Sequence, residues 1–193
     1  MNVLFLEIDT DRVWSVASIG PAFLAAHLRN HGHSAAMIRI APDAAIAEIL
    51  KQVRAHEPGV LALSLTTRQW LRARDVVRGL RAELDIPVVA GGLHPTFSPE
   101  VVLASAGFDH VCLGEGEEAF LELVEALEAH APLASIKNIW TRGMRRPALR
   151  LPMDPLDSVP FMARDFLDEH VGVVHMSTQR GCPFPCTYCA ATG

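Results

Sequence analysis

Three of the four cysteines in this 193-residue chain fall within Gly181-Cys182-Pro183-Phe184-Pro185-Cys186-Thr187-Tyr188-Cys189. Three residues separate the first two thiols and two residues the next, so all three share one short loop. A disulfide would use two of them and strand the third, and such close spacing strains most pairings. A structural zinc site takes four ligands, usually as two separated pairs, and no second Cys or His pair follows. An iron–sulfur cube suits three thiolates better, because its fourth iron then stays open to a ligand. A zinc knuckle remains the other reading of the same spacing. Cys112 stands apart in an apolar run and reads as a buried, inert thiol.

A loop of this kind needs a scaffold. Just upstream, Val171-Gly172-Val173-Val174-His175-Met176-Ser177-Thr178 is apolar and then small and polar, the pattern of a buried strand feeding a loop. Further back, apolar runs at Val3–Ile8, Ala35–Ile40, Val60–Leu65, Pro87–Ala90 and His110–Leu113 predict five strands. Helical periodicity follows each of them: Ala22–Asn30, Asp43–His56, Trp70–Leu84, a helix opened by Ser98-Pro99-Glu100, and one running from Gly114 through Ala129. Ser98 is placed as an N-cap with Pro99 at the first helical position, and Gly32 as the residue that ends the first helix.

Strand–helix alternation of this kind specifies an α/β fold: a Rossmann-like or flavodoxin-like five-stranded parallel sheet with helices on both faces. Ligands collect at the carboxyl ends of such strands, where the Ser64–Thr67, Gly91–Gly92 and Gly114–Gly116 loops lie. The domain is expected to close at residue 131. Residues 132–170, with prolines at 147, 152, 155 and 160, read as a linker carrying one short strand near Ile136–Thr141. Residues 171–193 then begin a second domain.

A net charge of −5 and a pI near 6.0 argue against a nucleic-acid footprint. No stretch approaches the ~18 apolar residues of a membrane span, and Met1-Asn2-Val3-Leu4 lacks the basic region of a signal peptide. Cysteines reserved for a cluster point to a reducing, cytoplasmic compartment.

The cysteine spacing, with an aromatic residue just before the third thiol, resembles the signature of radical S-adenosylmethionine (SAM) enzymes. The resemblance implies Cys182, Cys186 and Cys189 as ligands of a [4Fe–4S] cluster, with Tyr188 near the adenine of SAM. It implies that SAM binds the open iron through its amino and carboxylate groups and is cleaved by one electron to methionine and a 5′-deoxyadenosyl radical. A donor such as flavodoxin or ferredoxin would provide that electron, and Val171 onward would start a partial TIM-type barrel.

The upstream domain is similar to the cobalamin-binding domain that precedes this core in a large subfamily. The similarity is carried by Gly20-Pro21, Ser64-Leu65-Thr66, Gly91-Gly92-Leu93-His94-Pro95-Thr96 and Gly114-Glu115-Gly116-Glu117. It implies Ser64, Thr66, Thr67, Arg68, Gly91, Gly92, His94, Gly114, Glu115 and Gly116 as cobalamin-binding positions. Asp9-Thr10-Asp11-Arg12-Val13-Trp14 departs from the Asp-x-His-x-x-Gly pattern that places a histidine on cobalt. Cobalamin is therefore expected base-off without a histidine ligand, with Arg68 the candidate at its lower face. His27, His31 and His33 are expected to be surface or cap residues.

Together these features describe the N-terminal part of a cobalamin-dependent radical SAM enzyme acting on a small-molecule substrate, by methyl transfer or radical rearrangement. The sequence stops at Gly193, four residues past Cys189, so the rest of the barrel is expected elsewhere and this chain alone is expected to be inactive. Three other readings stay open: a stand-alone corrinoid carrier or sensor, an α/β domain that keeps the fold without the cofactor, and a zinc-stabilised regulatory domain.

Overall fold

The structure is a computed structural model that describes residues 1–10, 18–167 and 175–189. The apolar runs form β1 (Asn2–Ile8), β2 (Ser34–Ile40), β3 (Val60–Ser64), β4 (Val88–Gly91) and β5 (His110–Cys112). Between and after them stand α1 (Ile19–Asn30), α2 (Ile46–Ala55), α3 (Trp70–Arg81), the short α4 (Leu93–Phe97) and α5 (Pro99–Ala104), and α6 (Glu117–Glu128). The α/β class and the parallel pairing of these five strands match the expectation. The sheet carries one strand more: β6 (Ile139–Thr141) pairs antiparallel with β5, giving the order β2-β1-β3-β4-β5-β6.

Side-chain alternation along the strands splits the core into two layers. Leu4, Leu6, Ile8, Leu61, Leu63 and Val88 face α2, α3 and α5. Val3, Phe5, Val60, Ala62, Val89 and Cys112 face α1 and α6. Each strand is thus apolar on both sides, as burial between two helical layers demands.

Several local expectations are corrected. Helix α2 begins at Ile46 rather than Asp43, and α3 stops at Arg81 rather than Leu84. Ser98 makes no side-chain capping bond. Leu93–Phe97, read as loop, is helical, because Pro95 sits in a first turn whose amides lack intrahelical partners anyway.

The stretch read as a linker is packed into the core. Met162, Ala163, Phe166 and Leu167 are buried against the face that holds Phe5 and α1. Phe166 stands edge-on to Phe5 with ring centroids 5.7 Å apart, and Ala163 N–H donates to the Ala22 carbonyl at 2.9 Å. A forked pair from Arg29 to Asp165 (2.8 and 2.7 Å) closes this contact at the surface. Of the strand expected at Val171–Thr178, residues 171–174 lie outside the described residues, and 175–178 have no regular structure. Among the described residues, no helix is long and apolar enough to cross a membrane.

His27 and His33, expected at the surface, are buried; only His31 is exposed. The reason lies in the helical spacing, which puts His27 on the face of α1 that meets α6, where its Nε2 stands 3.2 Å from Glu118. Burial lowers the pKa of His27, with Glu118 pulling the other way, and burial likewise lowers His94 and His110. The unfolded chain takes up protons near pH 6.5 at these rings that the folded chain refuses, so stability rises with pH through this window and falls on acidification. Urea midpoints measured from pH 7.5 to pH 5 are expected to decrease, with the decline starting near pH 6.5.

Candidate functional site

The order of the sheet reverses between β1 and β3. The chain leaves β1 for α1 on one face and leaves β3 for α3 on the other, so the two loops part and open a crevice at the carboxyl ends. A cleft of about 330 Å³ lies there, between the sheet and helices α1 and α6. Its floor is Phe5, Ala62, Val89 and Cys112, one residue from each of four neighbouring strands. Phe23 and Leu24 of α1 and Phe120 of α6 form its walls. Ser64, Gly91, Gly92, Gly114, Glu115 and Gly116 form the rim.

Two glycines shape that rim. Gly92 has φ 90 and ψ −170, a region open to glycine almost alone, and a Cβ there would stand 2.7 Å from the Leu65 nitrogen and 2.9 Å from its carbonyl oxygen. It lets the β4 turn press against the β3 turn, where His94 N–H donates to the Leu65 carbonyl at 2.9 Å. Gly114 has φ +66, and nothing lies within 4 Å of where its Cβ would be, so the mouth there stays clear.

The other side of the mouth is charged. Glu117, in the first turn of α6, is only 6% exposed. Arg180 satisfies it through both guanidinium ends, one of them at 3.2 Å, and also reaches Glu115 at 3.3 Å. The same guanidinium lies 5.2 Å from the centre of the Phe23 ring. Arg180, Ser177 and Phe23 line a second, wider cavity of about 610 Å³, enclosed by residues 156–164 and 176–180.

The structure brings together Ser64, Gly91, Gly92, Gly114, Glu115 and Gly116 of the positions singled out in the sequence. Thr66 lies beside them in a smaller cavity of about 210 Å³, its N–H and hydroxyl both donating to Gln69 (2.8 and 2.9 Å). Thr67 and Arg68 are exposed on the loop after β3. His94 is buried outside the cleft, stacked on Trp70 at 4.8 Å with its Nδ1 3.3 Å from the Thr67 hydroxyl. Tyr188 is 91% exposed. Cys182 and Cys189 are exposed and Cys186 half-buried, with Cys189 N–H donating to the Cys186 carbonyl at 3.1 Å. No disulfide joins the cysteines, and among the described residues no three candidate side chains gather as a metal-binding group.

Sequence reasoning missed Phe5, Phe23, Phe120, Glu117 and Arg180 as cleft residues. Strand alternation was a usable signal for Phe5. Arg180 carried none, since Glu117 lies 63 residues away in the chain.

Cys112 is buried as expected, and burial pushes its thiol up to about 12. In the native protein at pH 8, iodoacetamide is expected to label Cys182 and Cys189 within minutes and to leave Cys112 unmodified until denaturant is added, as peptide mass spectrometry would record. Raising the pH to 10 is not expected to expose it, because the thiolate fraction remains small.

The sequence model of the B12 binding domain matches residues 15–124. Among curated proteins, an uncharacterized methyltransferase of Pyrococcus horikoshii is 29% identical over 187 residues, covering 90% of this chain and 40% of that protein. The anaerobic magnesium-protoporphyrin IX monomethyl ester cyclase of Rubrivivax gelatinosus is 22% identical over 189 residues, covering 88% of this chain and 34% of its own length. Among solved structures, the cobalamin-dependent S-adenosylmethionine radical enzyme OxsB, with aqua-cobalamin and S-adenosylmethionine bound, superposes with a TM-score of 0.83 over 97% of this chain and 28% of OxsB, at 19% identity. The radical S-adenosylmethionine methyltransferase TsrM of Kitasatospora setae, with cobalamin and a [4Fe–4S] cluster bound, gives 0.68 over 79% of this chain and 30% of TsrM, at 19% identity. The chain therefore spans well under half the length of these proteins.

Proposed function

Because the chain belongs to the B12-binding domain family, we propose that it holds cobalamin in the cleft between the sheet and helices α1 and α6, as the N-terminal part of a cobalamin-dependent radical SAM methyltransferase. The observation that carries this reading is the cleft itself: an apolar slot with a glycine rim, at the switch point of the sheet. The residues present fit the group. Ala62, Gly20, Gly91 and Gly116 leave room for a flat aromatic nucleotide tail between Phe23, Phe120 and the sheet. The Ser64 hydroxyl is positioned at the rim to bond the polar part of that tail. On this reading the cofactor is base-off without a histidine ligand, because Asp9-Thr10-Asp11-Arg12-Val13-Trp14 carries no histidine.

Cys182, Cys186 and Cys189 are the residues to hold a [4Fe–4S] cluster, and their exposed loop is open to assemble around it. When bound, the two cofactors supply a cobalt centre able to carry a methyl group and an iron centre able to reduce SAM. The chain's own part is to exclude water with Phe5, Phe23 and Phe120 and to hold the cysteine loop beside the cleft through Arg180. The full enzyme acts on a small molecule, in the cytoplasm, with an electron donor such as flavodoxin or ferredoxin.

Titration of the chain with hydroxocobalamin, followed by gel filtration and absorbance, tests the reading. Stoichiometric retention of the corrinoid is expected, and Ala62→Trp, which fills the slot, should abolish it. A chain that retains none, or a filled slot that retains as much as the wild type, overturns the assignment.

A further inference from the structure

Glu117 is a nearly buried carboxylate, and Arg180 is the guanidinium that compensates it. A buried charge without its partner is costly, so the position of Arg180 is fixed far more firmly than that of an ordinary surface arginine. Arg180 also bonds Glu115 across the cleft rim and covers the Phe23 ring. It stands two residues before Cys182. It is part of the wall common to the 330 Å³ cleft and the 610 Å³ cavity. No other described contact of residues 177–189 with α6 is a charge pair of this kind.

We infer that Arg180 is a positioning residue: a latch that closes the shared wall of the two cavities and seats the cysteine loop over the mouth of the cleft. The latch is shut when the guanidinium spans Glu117 and Glu115. With the latch open, residues 177–180 swing off the rim, the cleft joins the neighbouring cavity, and a corrinoid can pass. The second half of this inference rests on the cobalamin reading; the first half does not.

The test uses the whole of these 193 residues and two readouts. Trypsin cuts after arginine, so the rate of cleavage at Arg180–Gly181 reports how often the latch opens. Glu117→Gln keeps the shape of the side chain and removes its charge, and it is expected to speed this cut by about tenfold, with cuts at other arginines unchanged. Glu117→Asp keeps the charge with a shorter arm and is expected to restore part of the protection. A residue needed only for packing gives the reverse order, with Gln the better tolerated of the two. Glu115→Gln, at a more exposed position, is expected to give a smaller rise, and it decides the matter if both Glu117 variants fail to fold. Equal cleavage rates in the wild type and Glu115→Gln, or Gln protecting as well as Glu at 117, overturn the latch.

The second readout is hydroxocobalamin exchange by stopped flow. Opening the wall is expected to raise both the association and the dissociation rate in Arg180→Gln, by about tenfold each. A higher dissociation rate with unchanged association makes Arg180 a mere contact and overturns the gate. A wild type that takes up no hydroxocobalamin refutes the cobalamin reading, while the trypsin experiment still decides whether the latch exists.

Discussion

Gly92→Ala is expected to cost about 4 kcal/mol in a urea titration, the sum of a disallowed backbone angle and a forced overlap. At φ 90 and ψ −170 an alanine is strained whatever surrounds it. Its methyl group would also meet the Leu65 nitrogen at 2.7 Å and the Ser64 hydroxyl at 2.9 Å. Backbone cannot swing aside as a flexible side chain can, so the β3 and β4 turns must separate. That separation breaks the bond from His94 N–H to the Leu65 carbonyl and deforms the rim of the cleft. Hydroxocobalamin retention should be lost with it. Gly91→Ala is the matched control: a Cβ there first meets the Cys112 Cβ at 3.6 Å, an ordinary contact. It should fold with a change under about 1 kcal/mol and weaken corrinoid binding only by narrowing the slot. Equal stability of the two variants would disprove the role given to Gly92.

The second large effect concerns iron. After anaerobic reconstitution of the complete enzyme with iron and sulfide, Cys182→Ala, Cys186→Ala and Cys189→Ala are each expected to lose the cluster, iron falling from about four per chain to under about one. On the proposed reading each thiolate would hold one corner, and the described loop has no buried core of its own to hold a cube on two. SAM cleavage should vanish in all three. Cys112→Ala, whose thiol faces the cleft floor and not the loop, should keep full iron. Retained iron and SAM cleavage in any of the three loop variants would remove the radical SAM assignment.

Much of this was legible in the chain because it is written locally. Five apolar runs, each followed by helical spacing, announce a parallel sheet, and glycines after β4 and β5 announce its binding edge. What escaped is held by contacts between distant residues. The short strand expected near Ile136–Thr141 forms as β6, but its place in the sheet was not legible: it is set by pairing with β5 and by the buried Asn138, which bonds the Glu115 carbonyl and the Arg150 N–H. Phe166 looks like any aromatic in a proline-rich stretch until Phe5 is found beneath it. His94 followed two glycines and read as a loop residue at the site, yet the helical turn of α4 carries its ring away to Trp70. Glu117 was legible as an acid at a helix start, but its partner Arg180 is not within reach of any sequence window.

The cleft draws on residues far apart in the chain: Phe5 from the first strand, Phe120 from α6, and Arg180 beyond it. During synthesis the strands leave the ribosome in order, at about 5–20 residues per second, and roughly ten seconds or more separate Phe5 from Arg180. For most of that interval Phe5 and Ala62 have neither α6 nor residues 162–167 to cover them. A nascent chain therefore presents a sticky, half-clad sheet face well before it has a pocket. The cofactor therefore has no slot to enter until Arg180 has emerged, however much of the polypeptide is still to be made.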